Sequence, residues 1–156
     1  MKKIFRAQTT WSSLAEADGF DNVKTHRVTI HDKPPLTVSA DKTFKGDPSK
    51  YNPEDLLLTA LSSCHMMSYL YVCGQHHIEL ITYQSEAIGV LELQADGSGA
   101  FTSIRLELSI TVSKAEMIAQ AKALHKAAGK LCFIANSLKV PISYKPQVVV
   151  ASDTKL

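Results

Sequence analysis

Two cysteines, far apart in the sequence, are the side chains best suited to chemistry. Cys64 lies within a long apolar stretch that follows Asn52, and Cys132 lies where a later helical pattern restarts. A thiol can act as a nucleophile and a redox group, whereas a buried cysteine is often only a small inert hydrophobe. Two thiols carried by packed helices favour redox chemistry over a structural disulfide.

The third cysteine is a poor partner for Cys64. Cys73 follows it by nine residues in the same predicted helix. At about 100° per residue the two side chains point to opposite faces, roughly 13 Å apart along the axis. That separation prevents a disulfide within the helix. A partner for Cys64 must come from elsewhere in the fold, and Cys132 is the remaining thiol.

The two candidate thiols differ in what could ionise them. Cys132 follows a glycine by three residues and opens a short predicted helix. The amides of a helix N-terminus lower a thiol pKa, so we expect this position to favour the Cys132 thiolate. Cys64 lies mid-helix and needs a nearby cation instead. The candidates are Arg27, Lys42, Lys45 and, with less support, Arg6.

Glu54 is the acidic residue with a candidate role. It precedes Cys64 by ten residues, which is about 15 Å along one helix, so its carboxylate cannot reach that thiol within one subunit. It could reach the Cys64 of a second subunit if two such helices packed antiparallel. The alternative is that Glu54 only complements the helix dipole.

The histidines offer a competing metal site. His65 adjoins Cys64, and the others are spread over a strand and the end of the helix. Cysteine and histidine are good zinc ligands, but neither C-x₂-C nor H-x₃-H spacing occurs. We therefore interpret each as a surface histidine or a satisfied core histidine, and predict no metal. The residues considered are His26, His31, His65, His76 and His77.

Composition limits the class of protein. The chain has 156 residues, 45% of them hydrophobic and 21% charged, which suits one domain over residues 1–156. A net charge of +2 without a basic cluster argues against nucleic acid. The apolar run Leu56–Cys73 contains polar side chains and is short for a membrane span, so a buried core helix is preferred. Three widely spaced cysteines and no signal peptide favour the cytoplasm.

Local signals predict an α+β domain. Asn52 is a suitable N-cap for a helix from Pro53 to about Gly74. Ser113 and Glu116 match a capping box for a second helix, which Gly129 should end. The predicted order begins with strands at 3–11, 23–31 and 36–40, separated by a loop at Ser12–Asn22 and followed by a loop at Asp41–Tyr51. The helix at 53–74 comes next, and then two strands at 81–93 and 101–112, joined by an Asp96-Gly97-Ser98-Gly99 hairpin. Helices at 113–129 and 132–138 and a last strand at 142–150 complete the domain.

The motifs around both cysteines resemble those of the OsmC/Ohr family, the osmotically inducible protein C and organic hydroperoxide resistance proteins. The resemblance covers nearly the whole chain, and the Ser-Ser-Cys-His variant is similar to an OsmC-like branch. The matching segments are Asn52-Pro53-Glu54-Asp55-Leu56-Leu57, Ala60-Leu61-Ser62-Ser63-Cys64, and Cys132-Phe133-Ile134-Ala135-Asn136-Ser137-Leu138.

This resemblance implies an intertwined homodimer in which antiparallel sheets wrap around long central helices. It also implies thiol peroxidase activity at the interface, with Cys64 peroxidatic, Cys132 resolving and Glu54 as the interface carboxylate. Two positions depart from the family pattern. The arginine usual before the Asn-Pro-Glu motif is absent between His31 and Asn52, which leaves Arg27 as the nearest substitute, and Phe133 stands where a proline is usual.

Two functions from different classes remain open at this stage. The leading interpretation is a peroxidase without a bound cofactor, which reduces organic hydroperoxides and is regenerated by a small or protein-bound dithiol of lipoyl type. The alternative is a non-catalytic protein that binds a small lipophilic ligand in an apolar interface pocket, and the missing arginine favours it. A metal site at Cys64 and His65 is a distant third.

Overall fold

The computed structural model describes residues 1–13 and 24–151. The chain divides into two compact units, Met1–Leu57 and Leu58–Leu156, and each is described here by itself. Together they contain two three-stranded sheets and three α-helices in the described residues, an α+β architecture. The predicted loop Ser12–Asn22 lies largely outside the described residues, as does Val23 at the start of the second predicted strand.

The first unit contains three short antiparallel strands, as the sequence predicts, in the order β1-β2-β3. All three are shorter than predicted. β2 presents only four residues for pairing, and the backbone leaves β3 at Ser39, whose amide donates to the Tyr51 carbonyl at 2.9 Å. The strands are β1 (Gln8–Thr10), β2 (His26–Thr29) and β3 (Leu36–Val38).

The predicted Asp41–Tyr51 loop contains one short 3-10 helix, Lys42–Phe44. The Asp41 side chain accepts the Thr43 amide at 2.7 Å and thereby caps this turn. Gly46 is required nearby, because a β-carbon there would lie 1.7 Å from the Ala40 carbonyl oxygen. The loop is therefore a defined turn, although it lacks longer secondary structure.

Helix α1 (Pro53–Gln75) begins where the sequence predicts. The Asn52 side chain accepts the Asp55 amide at 2.7 Å, which confirms Asn52 as the N-cap. The helix ends at Gln75, one residue from the predicted end at about Gly74. Gly74 is not the terminator, however, because His77 takes the left-handed conformation, with φ 56°, that turns the chain away.

The sheet of the second unit consists of β4 (Leu80–Leu93), β5 (Gly99–Val112) and β6 (Ile142–Val150). β4 and β5 form the predicted hairpin, whose turn contains Gly97 at φ 85°. β5 and β6 are parallel, so the expectation of purely antiparallel sheets is wrong. The intervening helices form the crossover that a parallel pair requires. One face of β5 is fully buried at Ile104, Leu106, Leu108, Ile110 and Val112.

The start and end of the next helix also differ from prediction. A 3-10 turn at Ala115–Met117 precedes α2 (Ile118–Leu131), and the Ser113 hydroxyl contacts the Met117 sulfur at 3.6 Å instead of capping. The predicted capping box is therefore absent. The helix passes Gly129 and stops at Leu131, since the next residue is extended. Helix α3 (Phe133–Ser137) follows.

Helices α1 and α2 pack antiparallel within the second unit. The Tyr69 hydroxyl of α1 donates to the Ala121 carbonyl of α2 at 3.0 Å, and His65 meets His125 one turn along. By length and composition α1 could also cross a membrane, a test that core helices of soluble proteins pass as well. Its buried positions form one stripe, Leu61, His65, Tyr69, Val72 and Cys73, while Met67, Leu70 and Tyr71 are exposed.

Candidate functional site

The thiols of Cys64 and Cys132 come together between α1 and the start of α3. Cys64 is half-buried and Cys132 is fully buried, and both are reduced. The Cys64 side chain contributes to a raised pKa of the Cys132 thiol, which places the two thiols near each other. An influence that raises this pKa stabilises the protonated form of Cys132.

Cys132 occupies the N-cap position of α3, as its sequence context predicts. Its sulfur accepts the Ala135 amide at 3.4 Å. The expected fall in its pKa is wrong, however. Burial raises the pKa of Cys132 to about 11 and outweighs the Ala135 amide, which lowers it. The Ala135 and Ile134 amides at the start of a five-residue helix do not offset the desolvation of a fully buried thiolate. Cys132 therefore carries its proton at neutral pH.

Cys73 remains apart from this pair, in agreement with the helical geometry. It is buried near the end of α1, one helical turn after Tyr69. Burial raises the pKa of Cys73, and the Tyr69 side chain only partly opposes that effect. Cys73 is accordingly a neutral core residue.

His65, next to Cys64, is completely buried and forms a pair with His125. Nε2 of His65 and Nδ1 of His125 are 3.1 Å apart, and the ring planes differ by 17°. Burial lowers the pKa of each ring to about 4, so both are neutral at pH 7 and one ring donates to the other. Their outer nitrogens, His65 Nδ1 and His125 Nε2, have no hydrogen-bond partner among the described groups.

Tyrosines surround the two thiols. The Tyr144 ring stacks on His65 with centroids 4.4 Å apart, and its hydroxyl end lies over Gly129, where a β-carbon would be 3.0 Å from it. Tyr144 thus contacts α1, which carries Cys64, and α2, which ends one residue before Cys132. Burial raises the Tyr144 pKa, and the negative charge that either thiol can bear raises it further. Tyr83, on β4, has its pKa raised by burial and also by Cys132.

The remaining predicted site residues belong to the first unit. Glu54 is half-buried in the first turn of α1, and Arg27 is exposed on β2, where it pairs with Thr10 and Thr37. Lys42 and Lys45 flank the 3-10 turn. Their predicted roles at the thiols stay predictions.

Sequence reasoning missed His125, Tyr83 and Tyr144. His125 lies on the apolar face of α2 at helical spacing from Ala121 and Ala128, a pattern that marks an inward-facing position. Both tyrosines alternate with exposed residues along their strands, which likewise marks the inner face of the sheet. No sequence pattern links these three residues to the cysteines. Among the described residues, no three His, Cys, Asp or Glu side chains cluster as metal ligands.

Comparison with known proteins identifies the family. The OsmC-like protein family model matches residues 46–146, whereas no curated protein matches the chain. An OsmC-like protein of unknown function from Vibrio cholerae is 23% identical, with a TM-score of 0.79 over 95% of this chain and 100% of that one. An organic hydroperoxide resistance protein from Elizabethkingia anophelis is 19% identical, with a TM-score of 0.66 over 98% and 100%. One from Legionella pneumophila is 15% identical, with a TM-score of 0.67 over 96% and 98%.

Proposed function

Because this chain belongs to the OsmC family, we propose that it is a thiol peroxidase that reduces organic hydroperoxides with Cys64 and Cys132. The observation that carries the proposal is the pair of neighbouring thiols, of which Cys64 is half-buried and Cys132 is buried and protonated. The names of two similar structures, organic hydroperoxide resistance proteins, support the substrate class.

The two thiols have different roles in this proposal. Cys64 is the peroxidatic cysteine, because it is the more exposed of the two, whereas Cys132 is buried with a raised pKa. Its sulfur attacks one peroxide oxygen, the O–O bond breaks, and the alcohol leaves with a proton. Cys64 is thereby oxidised to a sulfenic acid while the hydroperoxide is reduced.

Cys132 then resolves the sulfenic acid. Its sulfur attacks Cys64, an S–S bond forms, and the S–O bond breaks. The proton that Cys132 holds, with a pKa of about 11, leaves with the departing hydroxyl as water. A small or protein-bound dithiol of lipoyl type returns both cysteines to thiols by exchange.

The site is completed by a homodimer in this proposal. Glu54 cannot reach the Cys64 of its own helix, so its carboxylate serves the partner subunit and orients the cation that stabilises the thiolate. Arg27 is the first candidate for that cation, before Lys42 and Lys45. Exposed apolar residues on α1 support a dimer, because a chain alone leaves Met67 and Tyr71 in water at 58% and 61% exposure. The protein is cytoplasmic, with neither nucleic acid nor membrane as a partner.

Hydroperoxide consumption with a lipoyl dithiol tests the function. We expect turnover of cumene hydroperoxide by wild type and by Cys73→Ser, and none by Cys64→Ser. Cys132→Ser should reduce one equivalent and then stop, since no disulfide can form. Wild-type protein that consumes no hydroperoxide would instead favour the non-catalytic, ligand-binding alternative.

A further inference from the structure

The exposed face of α2 is positively charged along its length. Lys122, Lys126 and Lys130 follow one another at four-residue intervals, so they form a row about 12 Å long on one side of the helix. α2 contains no acidic residue, and among the described residues no ion pair or side-chain hydrogen bond involves these three lysines. Like charges four residues apart destabilise a helix, so the row weakens α2 unless an opposite charge from outside offsets the repulsion.

Two exposed apolar side chains lie at the end of this row. Leu131 is the last residue of α2, and Phe133 is the first residue of α3 and is 80% exposed. The Asn136 side-chain amide donates to the Lys130 carbonyl at 2.9 Å and holds α3 against the end of α2. Apolar side chains beside a charged row have the composition of a protein interface, with an apolar centre and a polar rim. These exposed residues together form the α2–α3 surface: Lys122, Lys126, Lys130, Leu131 and Phe133.

The α2–α3 surface adjoins the resolving thiol. Cys132 lies between Leu131 and Phe133 in the chain, and its sulfur caps α3 by accepting the Ala135 amide. Consecutive Cα atoms are about 3.8 Å apart, so a protein that rests on these two apolar side chains is held beside the Cys132 backbone. A reductant that docks there is placed at the disulfide that it must reduce.

We propose that the α2–α3 surface docks the protein that carries the reducing dithiol, and that it recognises an acidic patch on that protein. The inference rests on the proposed peroxidase function and adds the surface that its second half-reaction uses. One carrier thiol attacks the Cys64 sulfur, the S–S bond breaks, and Cys132 leaves with the proton of that thiol. The second carrier thiol then displaces Cys64 and gives it a proton, so the carrier becomes a disulfide and both cysteines are reduced.

Charge favours this occupant over a second copy of the chain. A two-fold dimer through the α2–α3 surface would bring two lysine rows together, and they would repel each other. An acidic partner instead offsets the repulsion within the row, while Leu131 and Phe133 are removed from water.

Lys126→Glu tests the proposal, with Lys145→Glu as the matched control. Both substitutions change the net charge equally, but Lys145 alternates on β6 with Tyr144, which contacts α2, and so lies on the opposite face of the sheet. Lys126→Glu places a glutamate four residues from both Lys122 and Lys130, which should keep or raise the stability of α2. Weaker docking by this variant therefore cannot be assigned to a damaged helix.

The probes are a purified lipoyl domain of acidic net charge and free dihydrolipoamide, which is uncharged. Each protein is first oxidised to the Cys64–Cys132 disulfide with diamide. We expect reduction by the lipoyl domain to slow about tenfold in Lys126→Glu and in Phe133→Ala, with rates for free dihydrolipoamide unchanged. Lys145→Glu should match wild type with both probes. Added salt should slow the reaction of the domain with wild type more than with Lys126→Glu.

Equal rates for Lys126→Glu and wild type with the lipoyl domain would overturn the docking surface, as would an equal loss with free dihydrolipoamide. Binding to phosphatidylglycerol vesicles that Lys126→Glu abolishes, with an unchanged rate for the domain, would overturn it in favour of a lipid surface. The Kd of the domain for the reduced proteins gives the same comparison without oxidation. A wild type that binds the domain through Lys126 but leaves hydroperoxides intact would count against the proposed function alone.

Discussion

The buried His65–His125 pair should make this protein sensitive to mild acid. Each ring is held neutral in the folded state, with its pKa lowered to about 4 by burial. An unfolded histidine has a pKa near 6.5 and binds a proton as the pH falls. The stability that the pair contributes is therefore complete above pH 6.5 and is lost as the pH falls toward 4.

The size of the effect follows from those two pKa values. Between pH 7 and pH 5 each ring loses about 2 kcal/mol of stability, or about 4 kcal/mol for both. Domains of ordinary size have about 5–15 kcal/mol in total, so the loss is large. Stopping at pH 5 avoids the aspartates, because Asp41, Asp47 and Asp96 have pKa values lowered from 3.8 by hydrogen bonds.

Urea denaturation at fixed protein concentration and at pH 7, 6 and 5 measures this loss. His125→Gln keeps a hydrogen-bonding group but removes one titrating ring, so its loss should fall to about 2 kcal/mol. His76→Gln, at an exposed histidine, should retain the wild-type loss. A fall in the wild-type free energy of unfolding of less than about 1 kcal/mol would show that the two rings are not the acid-sensitive groups. An equal fall in His125→Gln and wild type would show the same for His125.

Substitutions at three further positions test local packing by the same denaturation assay. Gly129→Ala should lower the free energy of unfolding by about 1–3 kcal/mol, because the new β-carbon presses on the Tyr144 hydroxyl. An unchanged free energy would mean that Tyr144 moves freely. Gly74→Ala, which meets open space within α1, should stabilise by about 0.5–1 kcal/mol, and a loss would contradict that helical environment. Asn52→Ala should cost about 1 kcal/mol, since the Asp55 amide loses its acceptor, whereas Asn52→Ser should cost less.

The sequence predicted the order of the elements well and their ends less well. Asn52 caps α1 and Gly97 lies in the hairpin turn, both as predicted, because caps and tight turns depend on residues that are close in the sequence. α1 ends close to the predicted position, but the left-handed conformation of His77 after it could not be predicted, since glycine is the residue that usually takes that conformation. The parallel pairing of β5 and β6 depends on the crossover and not on either strand's own pattern.

The candidate site could likewise be predicted only in part. Helical geometry separates Cys73 from Cys64 and leaves Cys132 as the remaining partner, and Cys64 lies near enough to Cys132 to influence its pKa. The raised pKa of Cys132 could not be anticipated, because it depends on burial by elements distant in sequence. The same limit applies to His125, whose partner lies 60 residues away.

Peptide mapping after one equivalent of cumene hydroperoxide shows whether Cys64 and Cys132 form one redox unit. We expect a disulfide between these two cysteines within one chain, with Cys73 recovered as a free thiol. A disulfide that contains Cys73, or a Cys64 that stays reduced while hydroperoxide is present, would show that Cys64 and Cys132 are not a redox pair.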